Sequence, residues 1–411
     1  MKIIPELRFP EFENEGEWDT PTLSSVCDVI MGSSPSSLSY NENKIGLPLL
    51  QGNADIKNRL SAPRIYTTEI TKECQIGDIL LSVRAPVGTV AKSLHNACIG
   101  RGISSLRANK PNSQEYIYQW LFSYESSWAK ISQGGTFDAV NSDDIRNLII
   151  PIPKEKEQQK IASCLSSLDE VIAAHSEKLD LLKDHKKGLM QNLLPQEGEK
   201  VPKYRFKEFE KDGEWVQTSV EENCLVKGRI GYRGYTTEDL VGHGEGVLVL
   251  GGKHIQHQLL ELKDPTYLSW EKYYESPEIM VEVGDIIFSQ RGTLGDCAII
   301  DREIGPATIN PSMVLLKNIT CNARFLYFIL IGDSIQIEVQ KNRAMGAIPM
   351  LSQKQIKEFS FLIPYNPEEQ QKISSCLSYL DALIKAESEK IEQLKWHKKG
   401  LMQGLFPKII D

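Results

Sequence analysis

The strongest constraint on this chain is that its sequence is duplicated end to end. The segment from Pro5 to Trp18, PELRFPEFENEGEW, returns at Pro202 to Trp215 as PKYRFKEFEKDGEW, an offset of 197 residues. Residues 76–88 match 283–295 at an offset of 207, and residues 157–195 match 369–407 at an offset of 212, with 27 identities over 39 positions. A match of this density with mixed composition does not arise by chance, so the chain consists of two related halves in tandem.

Identity between the two halves is uneven. The beginning and the end of each half agree closely, whereas residues 29–75 and 227–282 barely align. We infer that one part of each half has a shared role and the other part a divergent one.

The closing segment of each half predicts a long helix with a coiled-coil seam, because apolar residues recur in steps of four and three. Residues 157–194 would form a helix of roughly 57 Å at 1.5 Å per residue, longer than an ordinary amphipathic surface helix, which is the alternative interpretation. The seam positions expected to pair the helices and to bind partners are Ile161, Leu165, Leu168, Ile172, Leu179, Leu182, Ile373, Leu377, Leu380, Ile384, Ile391 and Leu394.

Connectivity predicts the direction of these helices. The first leads from one globular region to the other and the second returns, so the pair should be antiparallel. Polar residues also occur in the seam, at His175, Lys186, Glu387 and Lys398. They either fix the register of the pair or mark places where the helices separate.

The rest of each half combines short apolar strands, such as 78–83 and 285–289, with helices such as 114–122 and 323–330. This mixture predicts an α+β fold with an internal duplication, in which two globular domains are joined by two long helices that form an antiparallel coiled coil. The predicted boundaries are 1–153 for the first globular domain, 154–199 for the first helix, 200–366 for the second domain and 367–407 for the second helix.

The net charge of -8 argues against an indiscriminate nucleic-acid binder, because affinity for phosphates rises with the number of Lys and Arg side chains delivered to them. The acidic residues are unevenly placed, however. Six of the 17 acidic side chains in residues 1–153 lie between Glu6 and Asp19, and the predicted helix segment 154–195 is neutral. The excess of acidic over basic side chains is therefore not spread over every part of the globular domains.

The eight cysteines show no C-x-x-C spacing, so we expect reduced thiols and neither a zinc ribbon nor a redox motif. No apolar run approaches the roughly 18 residues needed to cross a bilayer. The first ten residues carry Lys2, Glu6 and Arg8, where a signal peptide would be apolar. We therefore expect a cytoplasmic protein.

Polar loops lie at like places in the divergent part of both halves. The first half has MGSSPS at 31–36 and QGNADIKNR at 51–59, and the second has RIGYRGY at 229–235 and GGKHIQH at 251–257. Arg and Lys are the residues that read guanine, and Asn and Gln read adenine. Glycine-rich polar loops are usually only loops, but their matched positions favour a role in reading nucleic acid.

Motifs for catalysis are unconvincing. The glycines of 242–246 (GHGEG) precede an apolar strand, whereas a dinucleotide-binding loop follows one. Residues 310–313 (NPSM) lack the second proline and the aromatic residue of an adenine methyltransferase loop, and the Glu-x-Lys of 261–263 has no preceding acid in a convincing strand. We therefore predict no catalytic site, and no metal or cofactor bound by this chain.

The order of these elements resembles the specificity subunit of type I restriction-modification systems. A Pro-x-x-Arg-Phe-x-x-Phe…Trp opening, a Gly-Asp-Ile strand, a Gly-containing segment (133–136 and 345–348) and a long helix that begins with Glu-Gln-Gln-Lys-Ile all occur twice, over essentially the whole chain. The usual Pro-Pro before the Glu-Gln is replaced by Ile152-Pro153-Lys154 and Ile363-Pro364-Tyr365. This departure leaves the resemblance intact.

The resemblance implies that each divergent domain is a target-recognition domain that reads half of a split double-stranded DNA site. It implies that the repeated helices act as spacers and bind two modification subunits, with restriction subunits joining the complex. S-adenosylmethionine, ATP and Mg are then expected on the partner subunits. Two dissimilar readers on one rod predict an asymmetric site whose halves lie about one helical turn, roughly 34 to 36 Å, apart.

Candidate DNA contacts follow from the loops and the repeat. For the first half-site they are Gln51, Asn53, Arg59, Arg84, Arg101, Thr136 and Asn141, and for the second Arg229, Arg233, Lys253, His254, Arg291, Asn310 and Arg343. Arg84 and Arg291 share a repeat position, which favours a phosphate or structural role over base reading.

Two other functions stay open on the sequence: a self-sufficient methyltransferase or nuclease, and an adaptor that binds only proteins. The net charge also bears on the favoured function. Alone, the chain should bind DNA weakly, and affinity should rise when partner subunits neutralise more phosphates.

Overall fold

The computed structural model of the chain describes residues 3–132, 139–342 and 349–407. It divides into two compact units. The first contains the residues up to Glu177 together with those from Ser388 onward, and the second contains Lys178–Glu387. Each unit thus combines one globular domain with parts of both long helices, whereas the predicted boundaries separate domains from helices.

Two sheets form the globular part of the first unit. The strands are β1 (Cys27–Met31), β2 (Tyr40–Asn41), β3 (Leu47–Leu50), β4 (Ile56–Lys57), β5 (Leu60–Ser61), β6 (Ile65–Thr67), β7 (Glu73–Cys74), β8 (Ile79–Ser82), β9 (Val90–Lys92), β10 (Ala97–Ile99) and β11 (Ile103–Ala108). One sheet has the order β1-β11-β8-β9-β5-β4 and the other β2-β6-β3-β10-β7. Pairing is antiparallel except between β3 and β10 and between β5 and β9.

The helices of the first unit are α1 (Leu23–Val26), α2 (Gln114–Ser132), α3 (Ser142–Arg146), the first part of α4 (Glu155–Leu193) and the last part of the second long helix, described below. Short 3-10 turns lie at Pro10–Phe12, Ser37–Ser39 and Asn53–Asp55. Tyr116 of α2 is fully buried and packs edge-on against Trp18 of the opening segment and against Phe406. The opening segment and the end of the chain therefore share one core with α2.

The second unit repeats this plan. Its strands are β12 (Val216–Ser219), β13 (Leu225–Gly228), β14 (Leu240–Val241), β15 (Val247–Leu250), β16 (Ile255–Gln256), β17 (Leu259–Leu260), β18 (Tyr267–Leu268), β19 (Ile286–Ser289), β20 (Cys297–Ile299), β21 (Ala307–Ile309), β22 (Met313–Lys317) and β23 (Ser360–Ile363). The main sheets have the orders β13-β22-β19-β20 and β14-β18-β15-β21, with β12 paired to β23 and β16 to β17. The orders match β1-β11-β8-β9 and β2-β6-β3-β10, which confirms the duplication.

The helices of the second unit are the last part of α4, α5 (Val220–Asn223), α6 (Trp270–Tyr274), α7 (Ala323–Ile331), α8 (Asp333–Lys341), α9 (Gln353–Glu358) and the first part of α10 (Pro367–Leu405). Short 3-10 turns lie at Lys207–Phe209, Gly231–Arg233, Thr237–Asp239, Gly252–His254 and Pro277–Ile279. Helix α7 is the most apolar: six consecutive residues from Phe325 to Leu330 are buried. It forms the centre of the core against which α10 packs.

The long helices run antiparallel within each unit, as predicted. In the first unit, Ile161 and Leu165 of α4 share a core with Met402 and Leu405 of α10, and Asp169 pairs with Lys398. Residue numbers thus rise along α4 while they fall along α10. The second unit shows the same relation, because Leu193 shares a core with Ile373 and Lys186 pairs with Asp381.

The predicted seam positions are largely shielded from solvent. All twelve apolar seam positions predicted from the sequence are buried or half-buried, while most of the positions between them are exposed. The polar seam residues Lys186 and Lys398 lie 2.6 Å from Asp381 and Asp169 on the opposite helix, and Glu387 lies 2.9 Å from Lys178. At these positions the helices stay together through ion pairs, so the alternative that they separate there is wrong.

The repeated opening segment is fastened to the start of each long helix. Arg8 donates two hydrogen bonds to Glu157, at 2.7 and 2.8 Å, and Arg205 donates two to Glu369, both at 2.8 Å. Both glutamates are only 1% exposed. The hydrogen bond to the buried carboxylate raises the pKa of each arginine. The Arg-Phe and Glu-Gln-Gln-Lys motifs therefore supply the two members of one buried ion pair in each unit, which we call the clamp.

The Gly-Asp-Ile signature is also structural. Gly77 and Gly284 have φ of 87° and 95°, a backbone conformation that side chains disfavour. Asp78, which follows the first, accepts two hydrogen bonds from Arg107, each 2.7 Å long. Asp285 binds Lys317 at 3.0 Å in the same way. The motif therefore anchors β8 and β19 to the neighbouring strands.

Candidate nucleic-acid interface

A polar hollow of about 410 Å³ opens on the surface of the first unit. The residues that line it are Ser34, Pro35, Ser37, Tyr40, Gln51, Arg84, Arg101 and Gly102. They come from the loop after β1, the ends of β3 and β8, and the turn between β10 and β11. A Cβ atom on Gly102 would lie 2.2 Å from the carbonyl oxygen of Gln51, so a glycine is needed for these loops to meet.

The hollow is rich in hydrogen-bond donors. The side chains of Arg84 and Arg101 are exposed, and none of the described residues that line the hollow is acidic. The amide of Gln51 is oriented by its bond to Tyr40, whose hydroxyl accepts from Nε2 at 2.8 Å. The backbone N–H of Gln51 donates to buried Asp55 at 2.8 Å. Two guanidinium groups beside an oriented amide suit phosphates and base edges.

Three of the seven residues predicted for the first half-site meet at this hollow: Gln51, Arg84 and Arg101. Arg59 is instead ion-paired with Glu125 and stacks 4.6 Å above the Phe122 ring. Asn141 caps α3, where its Oδ1 accepts from the N–H groups of Asp143 and Asp144.

The remaining two residues predicted for the first half-site are Asn53 and Thr136, and Asn53 does not line the hollow. Asn53 is half-buried in a 3-10 turn. Thr136 lies outside the described residues.

Two residues predicted for the second half-site lie in the core. Arg229 is 8% exposed, donates to Thr308 Oγ1 at 3.0 Å and to the Ile309 carbonyl at 3.2 Å, and its burial lowers its pKa. His254 is fully buried, its Nδ1 accepts from the Gly251 N–H at 3.1 Å, and burial followed by the charge of Lys253 lowers its pKa. These positions give the expected DNA contacts no support, because neither side chain faces solvent.

The other predicted residues of the second unit are closer to the surface. Arg291 is exposed, with Nε 3.0 Å from the Met350 sulfur. Exposed Lys253 donates to Thr266 Oγ1 at 2.9 Å. Arg233 lies 3.4 Å from Glu278.

Asn310 holds the turn into β22, where its Oδ1 accepts from Ser312. Arg343 lies outside the described residues.

Arg84 and Arg291 occupy equivalent places in the two units. Each forms an isolated β-bridge, to Ala139 and to Met350. The carbonyl of each accepts a 3.0 Å hydrogen bond from a preceding serine, Ser82 or Ser289. The shared backbone position agrees with the repeat, and it leaves both guanidinium groups at the surface.

Sequence reasoning missed Tyr40 as the partner of Gln51, and it did not name Ser34 or Ser37 as residues of the hollow. Ser34 lies in the 31–36 loop that the sequence pattern indicates, so its residue type was a usable signal, whereas Ser37 lies just after that loop. Tyr40 offered none, because its contact with Gln51 depends on how β2 and β3 are placed.

Within the described ranges, no group of three His, Cys, Asp or Glu side chains comes together in a way that could hold a metal ion. Among the described helices, none has the length and apolar character needed to cross a membrane. All eight cysteines are free thiols in the structure.

The comparison with protein families shows to which family the chain belongs. Residues 15–184 and 268–395 match the family described as the type I restriction modification DNA specificity domain. The chain belongs to this family. Membership confirms the resemblance inferred from the repeated motifs, and the two matched ranges fall in the two halves of this specificity-domain protein.

Individual relatives agree. The chain is 36% identical over 181 residues to a putative type I restriction enzyme MjaX specificity subunit of Methanocaldococcus jannaschii, a match that covers 43% of each chain. It is 23% identical over 417 residues to the MjaVIII specificity subunit of the same organism, covering 98% of this chain and 94% of the relative. The first match therefore spans less than half the length of that relative.

A solved structure shows the same fold. The crystal structure of the S subunit of a type I restriction-modification system from M. genitalium has a TM-score of 0.63 and 17% identity, and the match covers 99% of this chain and all of that one. The likeness extends over both units and both long helices. It supports the predicted α+β architecture with an internal duplication.

Proposed function

We propose that this chain is the non-catalytic DNA-recognition subunit of a type I restriction-modification complex, and that it reads a bipartite, asymmetric site in double-stranded DNA. The observation that carries the proposal is the tandem pair of specificity domains. They share sheet order and clamps but present different polar loops. Two domains with the same fold and different polar loops are suited to binding two different DNA half-sites.

In the first unit, the hollow that contains Gln51, Arg84 and Arg101 is the reading surface. Gln51 contacts a base edge, because Tyr40 orients its amide. The two arginines bind phosphates or guanine. In the second unit, exposed Arg291 and Lys253 serve the other half-site, while buried Arg229 and His254 support the loops from inside.

The long helices bind two modification subunits, and restriction subunits join through them. S-adenosylmethionine, ATP and Mg act on those partners. The net charge of -8 favours this division, since a chain with more acidic than basic side chains binds phosphates weakly by itself. The partner subunits supply the remaining phosphate contacts.

A domain exchange tests the proposal. Residues 1–153 are replaced by the corresponding domain of another specificity-domain protein, and methylated positions in the host genome are mapped by direct sequencing. We expect the sequence of one half-site to change while the other half-site stays the same. The matched control replaces residues 200–366 and should change the other half-site. Methylation that is unaltered in both, or altered at both half-sites by one exchange, would contradict the proposal.

A further inference from the structure

The two units can be compared residue by residue at the contact between the globular domain and the long helix. The Ser113 N–H donates to Gln158 Oε1 at 2.9 Å, and the Asn322 N–H donates to Gln370 Oε1 at 3.0 Å. This common bond aligns the start of α2 with that of α7, at an offset of 209, and α4 with α10 at 212. Each position on one helix pair therefore has a counterpart on the other.

In the first unit, side chains of α2 and α4 also form hydrogen bonds across this contact. Ser166 Oγ of α4 donates to Glu115 Oε1 of α2 at 2.7 Å. Asp169 Oδ2 accepts from Gln119 Nε2 at 2.8 Å. The serine thus has an acceptor and the aspartate an amide donor, both supplied by α2.

The second unit lacks both groups. The counterparts of Ser166 and Asp169 are Ser378 and Asp381, but Arg324 and Phe328 stand where Glu115 and Gln119 would be. Arg324 lies 3.7 Å from Asp301, and the Phe328 ring stacks under Lys186 at 5.3 Å. Phe328 has no polar side-chain atom, and Arg324, which lines the same cavity as Asp381, pairs with Asp301 instead.

Two buried polar atoms are consequently without a hydrogen-bond partner among the described residues: Ser378 Oγ and Asp381 Oδ2. Buried polar atoms are normally paired. Both residues line a cavity of about 560 Å³, which we call the α7–α10 cavity. Its lining also includes Ser374, Ser375 and Ala382, whose small side chains allow another chain to approach α10 closely.

Helix α10 also differs from α4 at a position next to the cavity-lining Ser378. Tyr379, one turn of α10 from Ser375, is 66% exposed, whereas its counterpart on α4 is Ser167. Tyr is enriched in protein interfaces and among the residues that dominate binding energy. An exposed tyrosine beside an unfilled polar cavity favours a protein as the occupant.

We propose that the α7–α10 cavity receives an Asn or Gln side chain of one modification subunit. Its amide N–H donates to Asp381 Oδ2 and its carbonyl accepts from Ser378 Oγ, which reproduces what Gln119 and Glu115 do in the first unit. This inference rests on the proposed function for the identity of the partner. It adds that the two copies of the modification subunit dock differently, because the first unit fills its own site.

The test uses the full chain with the purified modification subunit of the same host, and native mass spectrometry for stoichiometry. Ser375→Trp fills the α7–α10 cavity, and the matched control is Ser163→Trp at the counterpart position, which is also exposed. We expect the unaltered chain and Ser163→Trp to bind two copies, and Ser375→Trp to bind the second copy at least tenfold more weakly. Ser378→Ala, with Ser166→Ala as its control, should weaken the same copy without adding bulk.

Retention of both copies at unchanged affinity by Ser375→Trp and Ser378→Ala overturns this inference alone. Equal weakening by Ser163→Trp and Ser375→Trp overturns the asymmetry. If the unaltered chain binds no modification subunit, the proposed function fails as well.

Discussion

Lys398 Nζ lies 2.6 Å from Asp169 Oδ1 and 2.7 Å from Oδ2, joining the two long helices inside the first unit. The lysine side chain is only 6% exposed and stacks 4.6 Å from the Phe122 ring centre. In the second unit Lys186 and Asp381 form the same pair with the helices exchanged. Each lysine therefore fixes the register of the helix pair in its own unit.

Removing the aspartate of this pair should destabilise the fold more than replacing the lysine by an uncharged side chain of similar volume. Asp169→Ala leaves Lys398 buried without its carboxylate, and we expect the free energy of unfolding to fall by about 3 kcal/mol. Lys398→Met keeps the volume and removes the charge, so its effect should be within about 1 kcal/mol. Urea denaturation measures both. The control is Lys160→Met, which breaks an exposed pair with Glu11 and should cost less than about 1 kcal/mol. A larger loss for Lys398→Met than for Asp169→Ala would contradict this account.

The same lysine predicts a dependence of stability on pH. Burial lowers the pKa of Lys398 below its usual 10.5, against the opposing effect of the hydrogen bond that it donates to Asp169. Between the folded and the unfolded pKa the unfolded chain binds more protons, so stability should rise with pH in that window, below about 10.5. The measurement is the difference in unfolding free energy between the unaltered chain and Lys398→Met, taken from about pH 8 upward. A flat difference, or one that falls with pH, would refute the prediction.

Arg229 and Arg291 should respond differently to truncation. Arg229→Ala leaves the Thr308 hydroxyl and the Ile309 carbonyl without a donor in the core, so we expect a loss of about 1 to 3 kcal/mol in unfolding free energy. Arg291→Ala removes an exposed side chain and should change stability by less than about 0.5 kcal/mol while weakening DNA binding by the complex. Thermal denaturation and DNA titration separate the two effects. Equal stability losses would show that the burial of Arg229 is unimportant.

The hollow of the first unit gives separate predictions for base and phosphate contacts. In the complex with modification subunits, Gln51→Ala should relax base preference in one half-site at a cost of about 1 to 3 kcal/mol. Arg101→Ala should weaken binding to all sequences alike and lower the salt dependence by about one phosphate. Lys154→Ala, at an exposed residue paired with Glu15, is the control. Titration of matched and mismatched duplexes at several salt concentrations checks both. Unchanged preference in Gln51→Ala would remove this residue from the reading surface.

Thiol reactivity tests the cores directly. Burial raises the pKa of Cys27 and of Cys224 to about 12, so at about pH 8 both should resist alkylation in the folded chain. Alkylation followed by peptide mass spectrometry should show them labelled only after urea is added. Rapid native labelling of either thiol would mean that the core around it opens readily.

Much of the architecture was predictable because it depends on regular patterns. The four-three spacing of Ile161, Leu165 and Leu168 defines a seam wherever the helix lies, and connectivity then requires an antiparallel partner. Strands β8 and β19 follow from short apolar runs after Gly-Asp. These features need only local sequence and the comparison of two copies.

The reading surface was harder to predict, because residues that are distant in sequence decide whether a polar side chain is paired, buried or exposed. Arg59 is tied to Glu125, 66 positions away, and Arg229 is enclosed by Thr308 and Ile309. Gln51 stays at the surface because it meets Tyr40 across β2 and β3. Their residue types make all three candidates for DNA contacts. Only tertiary packing decides which side chains are already paired inside the protein and which can contact DNA.

The clamps formed by Arg8 with Glu157 and by Arg205 with Glu369 have an evolutionary consequence. Each brings the opening segment of a globular domain next to the start of the long helix that follows that domain. Because both units use the same Arg–Glu pair, gene segments exchanged between lineages with breakpoints at these positions retain the clamp. On the proposed function, a new DNA specificity then arises by reassortment of a whole domain, without the gradual change of single base contacts.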